Sequence, residues 1–509
     1  MIAKVSCAAL MGIDAFKVDL EVDLTRQGMP AFTMVGLAEG AVKESKERVF
    51  SALKNSGFRL PPSRITVNLA PADIRKAGSA YDLPLAVALL GAAGIIDSAA
   101  LEGWYLAGEL SLSGGVKPVH GVLPLAIEAR RKGAKGLIVC PENVNEAAVV
   151  EGLDVYGVAT LAELVSFLVG DSSITPSRVD TSMLWEGRRN FSTDFAEVKG
   201  QEHAKRAIEI GAAGNHNILF IGPPGSGKTM LAQRIPTVLP PLLFEEALEV
   251  TKIYSVSGQL DRDRSLVVTR PFRAPHHTIS DAGLIGGGAY PKPGEVSLAH
   301  RGVLFLDELP EFKKNVLEVL RQPLEGGEVT ISRAAMSLSY PADFMLVAAM
   351  NPCPCGYYTD DRHVCSCSPQ AVARYSSRLS GPLLDRIDLQ IEVPAVDYKD
   401  LRESKGLDSA TMRSNIERVR DIQAERYKGM PILTNSELSG SSLEKFCRLT
   451  DSEHTFLEQA VHSLGLSARA YTRILRIART IADLSESANI QVHHLAEAIN
   501  YRSMDRQGV

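Results

Sequence analysis

Apolar and polar residues alternate with period two in KVDLEVDL (17–24) and in RITVNLAPAD (64–73), which predicts strands with one buried face. Between them, AVKESKERVFSALKNSG (41–57) repeats its apolar residues at helical spacing and reads as an amphipathic helix. LPLAVALLGAAGII (83–96) is apolar throughout. It contains an early proline and is shorter than the roughly 20 residues that a bilayer span requires, so it predicts a buried helix rather than a membrane segment. Residues 1–170 therefore form one α/β unit. GDSSITPSRVDTS (170–182) mixes Ser, Thr, Pro and Asp and reads as a linker, assigned to 171–194. From 195 to 399 short apolar strands return, at 217–221, 302–309 and 343–351, in a second α/β domain. Residues 400–509 are helical by periodicity.

The second domain carries a chemical signature. NILFIGPPGSGKTMLAQRI (217–235) is an apolar strand followed by a glycine-rich loop that opens a helix, so backbone N–H groups and the helix N-terminus face a phosphate chain. The loop is Gly222, Pro223, Pro224, Gly225, Ser226, Gly227, Lys228 and Thr229. Lys228 is placed to reach the β- and γ-phosphates of ATP, and the Thr229 hydroxyl to ligate Mg²⁺. The strand GVLFLDEL (302–309) ends in Asp307 and Glu308, a pair suited to holding hydrated Mg²⁺ and polarising the attacking water. DFMLVAAMN (343–351) ends in Asn351, a polar group placed to orient that water. In LSGPLLDRIDLQIEV (379–393), Arg386 has two readings: an ion-pair partner of Asp385 or Asp388, or a finger reaching a neighbouring subunit's γ-phosphate, which requires a ring.

Composition narrows the picture. The 509 residues, 45% hydrophobic and 23% charged, are ordinary globular usage sufficient for several domains. The 55 basic and 60 acidic residues give a net charge of −5, so contact with nucleic acid must come from local clusters rather than a global positive field. MIAKVSCAALMG lacks a sustained apolar segment, which argues for a cytoplasmic protein with no membrane partner. Four of the seven cysteines, Cys353, Cys355, Cys365 and Cys367, form two C-x-C pairs nine residues apart. Four thiolates suit a structural, tetrahedral Zn²⁺, with reduced thiols and redox chemistry as the other readings and His363 as a competing ligand. In SARAYTRILRIARTIADL (467–484), Arg469, Arg473, Arg476 and Arg479 fall on one helical face, either solvated or in contact with a nucleotide or other polyanion.

Several of these segments together resemble the magnesium-chelatase-like group of AAA+ ATPases, and within it the YifB/ComM family of bacterial competence-associated proteins. The resemblance rests on VKGQEHAKRAIEIGAAGNHNILFIGPPGSGKT (198–229), RPFRAPHHTIS (270–280), GLIGGGAYPKPGEVSLAHRGVLFLDELPEF (283–312) and AAMNPCPCGYY (348–358), and it spans essentially the whole chain. It implies an AAA+ P-loop core with a four-cysteine insertion at 353–367 and a helical lid at 400–509. Asn351 becomes the first sensor, Arg386 the finger and Arg469 the second sensor.

RKAGSAYDLPLAVAL (75–89) and AGELSLSGGVKPVHGVLPLA (107–126) are similar to the Lon-protease domain, a ribosomal-S5-like α/β fold. Ala80 and Leu123 stand where that family carries its serine and lysine; a one-residue shift would bring Ser79 to the serine position but restores no lysine, which implies a catalytically inactive scaffold or DNA-contact module. The family further implies a homo-hexameric ATP-driven DNA motor, a helicase for single-stranded and branched DNA. It would promote branch migration and recombination in natural transformation, alongside recombinase machinery. Pore inserts at 281–296 and 327–344 would offer Lys292 and Arg333 to DNA. The alternative is an AAA+ remodelling subunit acting on a protein or a metal-chelatase complex.

Overall fold

The structure, a computed structural model, describes residues 1–502 apart from 28, 38, 39, 75, 181–184, 186–190, 262–264, 289, 290, 334, 335, 359, 361 and 397–405. Tyr290, the boundary at 399/400, much of the linker and the side chain of Arg333 lie outside the described residues. The chain forms two compact units, Met1–Gly187 with Leu243–Val268, and Arg188–Leu242 with Thr269–Val509.

In the first unit, Asp14–Thr25 buries Val18, Leu20, Val22 and Leu24, every second residue, as a half-buried strand must. It pairs antiparallel with Ile2–Met11 on one side and Arg64–Ala70 on the other. The full sheet runs Ala31–Val35, Arg64–Ala70, Asp14–Thr25, Ile2–Met11, Trp104–Leu106, Gly136–Val139, Val155–Gly157. The apolar segment forms the helix Asp82–Ala92, in which every residue is buried. Its one charge, Asp82, is neutralised by Arg48 in a two-bond pair at 2.8 and 3.0 Å and accepts the Leu110 N–H. Leu123 is fully buried and Ala80 packs against the same apolar cluster, so neither position presents a nucleophile or a base.

The helix Phe244–Ser257 follows the phosphate-loop helix in sequence, yet it belongs to the first unit. Its apolar face buries Ala247, Val250 and Ile253, and the Ser255 hydroxyl donates to the buried carboxylate of Glu146. Glu146 also accepts the Leu123 N–H at 2.9 Å. Burial holds this carboxyl above the usual range.

The second unit is built on a five-stranded parallel sheet in the order Phe272–Arg273, Val303–Leu306, Met345–Met350, Ile218–Ile221, Leu389–Glu392. All residues of Val303–Leu306 and Met345–Met350 are buried, the pattern of strands covered on both faces. The helices Ser409–Arg426, Ala468–Leu484 and Val492–Asn500 share one apolar cluster with this sheet, through Ile416, Ile474, Ile477 and Leu495 beside Phe220 and Val347. Among the described residues no helix is long and apolar enough to cross a membrane.

The row of arginines on Ala468–Leu484 divides. Arg469 is exposed, but Arg473 and Arg479 are only 12% and 3% exposed at their side chains. Arg476 donates to the Leu438 carbonyl at 2.6 Å, and Arg479 pairs with Asp483 and caps the Ser487 and Ala488 carbonyls. Arg476 and Arg479 therefore fasten the helical region internally and Arg473 ties it to Ile387 and Asp388 ahead of the last strand, so these three do not form a solvated face open to a polyanion. Helical spacing puts residues on one face without saying what that face meets.

Candidate active site

Ile218–Ile221 lies between two parallel neighbours, and this pins the loop that leaves its C-terminal end. Gly222 donates its N–H to the Met350 carbonyl at 3.2 Å. A Cβ on Gly222 would stand 2.1 Å from the Val393 carbonyl oxygen, so only glycine lets the two strand exits come this close. Gly225 and Gly227 have φ of +77° and +92°, left-handed values that aim the loop's N–H groups inward before the helix Lys228–Val238 begins. From outside the loop, Gln201 donates to the Pro394 carbonyl at 2.6 Å and the Ser226 carbonyl at 3.4 Å.

The side chain of Lys228 turns back over the loop. Its Nζ donates to the Gly222 carbonyl at 2.7 Å, the Pro223 carbonyl at 2.9 Å and Asn351 Oδ1 at 3.2 Å. Burial lowers its pKa, against the pull of Asp307. Thr229 Oγ1 donates to Asp307 Oδ2 at 2.7 Å, while Asp307 Oδ1 accepts the Glu308 N–H at 2.9 Å. The two groups expected to share Mg²⁺ are therefore in direct contact, and the donor set of one hydroxyl and one carboxylate suits a hard cation. Glu308 has φ of 52°, in the left-handed region, and its carboxylate is more than half exposed. The Asn351 N–H meets the hydroxyl of Tyr375, whose pKa burial pushes up to about 12.

Arg386 and Arg469 gather elsewhere. In this parallel sheet the phosphate loop follows the C-terminal end of its strand, whereas Arg386 precedes the N-terminal end of Leu389–Glu392, where its carbonyl accepts from Asn217 Nδ2 at 2.8 Å. Arg386 pairs with Glu325 and donates to the Pro382 carbonyl, and Arg469 pairs with Asp385 at 2.7 Å. Asp388, anchored by His216 and Arg473, is held down at about 2: burial opposes this, but the hydrogen bond and charge of its partners outweigh it.

Lys292 is exposed on a short ribbon, Gly286–Gly287 paired with Lys292–Pro293. Arg333 ends the strand Glu328–Arg333, which pairs antiparallel with Met336–Pro341. The Tyr340 hydroxyl donates to the Pro291 carbonyl at 2.6 Å, tying this hairpin to the ribbon segment. One side of the hairpin carries hydroxyl pairs, Thr330 with Ser339 and Ser332 with Ser337, each at 2.9 Å.

The four sulfurs of Cys353, Cys355, Cys365 and Cys367 lie within 4.8 Å of one another, a set that could hold a zinc ion. The N–H groups of Tyr357 and Ser366 hold the Cys355 thiol down at about 5. The Gly356 and Tyr358 N–H groups donate to Cys353 at 3.2 and 3.3 Å. His363 turns instead to Asp360 and stacks beside Tyr357. This loop abuts the phosphate loop: a Cβ on Gly356, which has φ of +89°, would stand 2.5 Å from Pro224 Cδ.

Sequence reasoning gave no role to Gln201, Tyr375 or His277, which lies beside Glu308. Gln201 and His277 fall inside the quoted segments VKGQ and APHH, but their partners are too distant in sequence for spacing to reveal them.

Three family models match the chain in succession. One described as subunit ChlI of Mg-chelatase matches residues 20–143, one as magnesium chelatase, subunit ChlI, matches 194–401, and one as the ChlI C-terminal part matches 406–502. The chain is 47% identical to the competence protein ComM of Haemophilus influenzae over 99% of its own length and 98% of that protein. It is 43% identical to the uncharacterized protein YifB of Escherichia coli over 98% and 96%. The magnesium-chelatase 38 kDa subunit of Rhodobacter capsulatus is 27% identical over 31% of this chain and 50% of that subunit.

Proposed function

From the premise that the chain belongs to the YifB/ComM family of magnesium-chelatase-like AAA+ ATPases, we infer an ATP-driven motor that acts on DNA. Family membership implies ATPase activity with ATP and Mg²⁺. The finer reading is a homo-hexameric helicase that separates strands and drives branch migration. It would extend the integration of single-stranded DNA by homologous recombination in natural transformation, working in the cytoplasm beside a recombinase.

One observation carries this reading: the similarity to a protein named for competence runs the whole length of both chains, flanking units included. The chelatase subunit of Rhodobacter capsulatus aligns with 31% of this chain, against 99% for the competence protein, although the three matching family models are all described by a chelatase subunit, so metal insertion stays the alternative reading. A protein remodeller would use the same ATPase and becomes the reading to pursue if DNA has no effect.

Lys228 and the loop N–H groups would hold the phosphates, and Thr229 with Asp307 would hold Mg²⁺, which when bound neutralises charge developing on the transferred phosphoryl group. Glu308 would orient and deprotonate the attacking water, with Asn351 fixing its position. Arg386, which lies at the far end of the sheet from its own loop and pairs with Glu325, would leave that pair to serve a neighbouring subunit's nucleotide in a ring. The ribbon with Lys292 and the hairpin ending at Arg333 would meet the DNA backbone, and the cysteine set would hold a structural zinc. The test is steady-state hydrolysis with and without a forked duplex, for the wild type and Lys228→Ala. Stimulation by DNA that vanishes in the variant is expected, and hydrolysis indifferent to DNA would overturn the DNA reading.

A further inference from the structure

RPFRAPHHTIS carries two adjacent histidines that the phosphate-loop chemistry leaves without a task. The strand Phe272–Arg273 pairs in parallel with Val303–Leu306, so the segment leaving it runs beside the acidic end that carries Asp307 and Glu308. There His277 Nδ1 lies 3.3 Å from Glu308 Oε2. The His277 ring is steadied on two sides, by the His276 ring at 4.1 Å and by the edge of Phe312 at 6.4 Å. His276 is turned to its own turn, with Nδ1 at 2.9 Å from Thr278 Oγ1, so of the two it is His277 that addresses the carboxylate.

The surroundings of Glu308 explain what such a neighbour does. The backbone at Glu308 is fixed by the left-handed φ and by the Glu311 N–H that donates to the Glu308 carbonyl at 2.8 Å. Its exposed side chain still has several rotatable bonds. A base must hold its water in line, and a carboxylate free to swing among rotamers spends much of its time misaligned.

We propose that His277 is a positioning residue for hydrolysis: its ring donates to Glu308 and holds the carboxylate in the orientation that activates water. The proposal rests on the reading of Glu308 as the water-orienting base. It is distinct from phosphate binding, because His277 faces the carboxylate and the loop contacts belong to Lys228 and Gln201.

The experiment measures kcat and KM for ATP with Mg²⁺ in the full-length protein, together with direct nucleotide affinity, for His277→Ala, His277→Phe, His277→Asn, His276→Ala and Glu308→Gln. Loss of the donor lowers kcat roughly tenfold in His277→Ala and His277→Phe while KM stays within about twofold, since ground-state binding is untouched. Asparagine, which donates from near the same position, recovers most of the rate. Phenylalanine keeps the packing against Phe312 and does not recover it.

A His277→Phe protein with wild-type kcat overturns the proposal, as does a loss in which KM changes as much as kcat. A fall in kcat for His276→Ala equal to that for His277→Ala also overturns the assignment. Glu308→Gln separates the two levels: if it abolishes turnover while His277→Ala does not slow it, the positioning role fails and the base stands. If Glu308→Gln still turns over, the base and the positioning role fall together.

Discussion

His494 shows how one side chain can set a pH limit on stability. Its Nδ1 accepts the Gln491 N–H at 3.0 Å, capping the helix Val492–Asn500, and an imidazole can accept there only when neutral. Burial, with the neighbouring charges of His493 and Arg479, lowers its pKa from 6.5 to about 4. The unfolded chain therefore takes up this proton first as pH falls, so stability contributed by neutral His494 is complete above pH 6.5 and lost progressively toward pH 4. Denaturant titrations should show a decline of up to roughly 3 kcal/mol across that interval, flattened in His494→Gln, which keeps an acceptor without a titrating ring. A decline identical in the variant would remove His494 from the account. At this scale the contact of Thr229 with Asp307 was legible in the sequence, because a strand, a loop and a helix in that order leave their end groups few places to go. The partnership of His277 with Glu308 was not legible, since 31 residues separate them and only the parallel strand pairing brings them together.

Elements repeat the lesson with larger pieces. The alternation at 17–24 became a half-buried strand, and the apolar run at 83–96 became a fully buried helix as far as Ala92, beyond which the chain turns and exposes Ile95, because period and apolarity report on how many faces are covered but not on where an element ends. Phe244–Ser257 has an apolar face of its own, but nothing in its period says which core that face meets, and it joined the first unit. The same limit misplaced Arg473, Arg476 and Arg479: the first two meet carbonyls of segments distant in sequence, and the third pairs within its own helix and caps the turn that follows it. The cysteine loop yields a prediction. Its sulfurs lie close together, and its Gly356 sits against Pro224, so the metal site and the phosphate loop share a wall. The purified protein should carry about one tightly bound zinc per chain. Cys355→Ser should lose it and bind ATP more weakly. Elemental analysis that finds no zinc in the wild type would contradict the structural-metal reading, and unchanged ATP affinity in a zinc-free variant would contradict the shared wall.

For the whole molecule, the net charge of −5 means that attraction to DNA must be local. The ribbon with Lys292 and the hairpin ending at Arg333 are joined by the bond from Tyr340 to Pro291, which makes them one surface rather than two. If Lys292 neutralises a phosphate of a single strand, Lys292→Ala should reduce the slope of log affinity against log salt by about 0.7, with Arg333→Ala behaving alike. Slopes unchanged in both would move the contact elsewhere. The central claim, that ATP hydrolysis here moves DNA strands, is tested most directly by strand release from a three-stranded junction with ATP and Mg²⁺, comparing wild type, Lys228→Ala and a non-hydrolysable ATP analogue. The account predicts release by the wild type with ATP alone, and none in the other two conditions. An actively hydrolysing wild-type protein that releases no strand, or release that persists without Lys228, would contradict it.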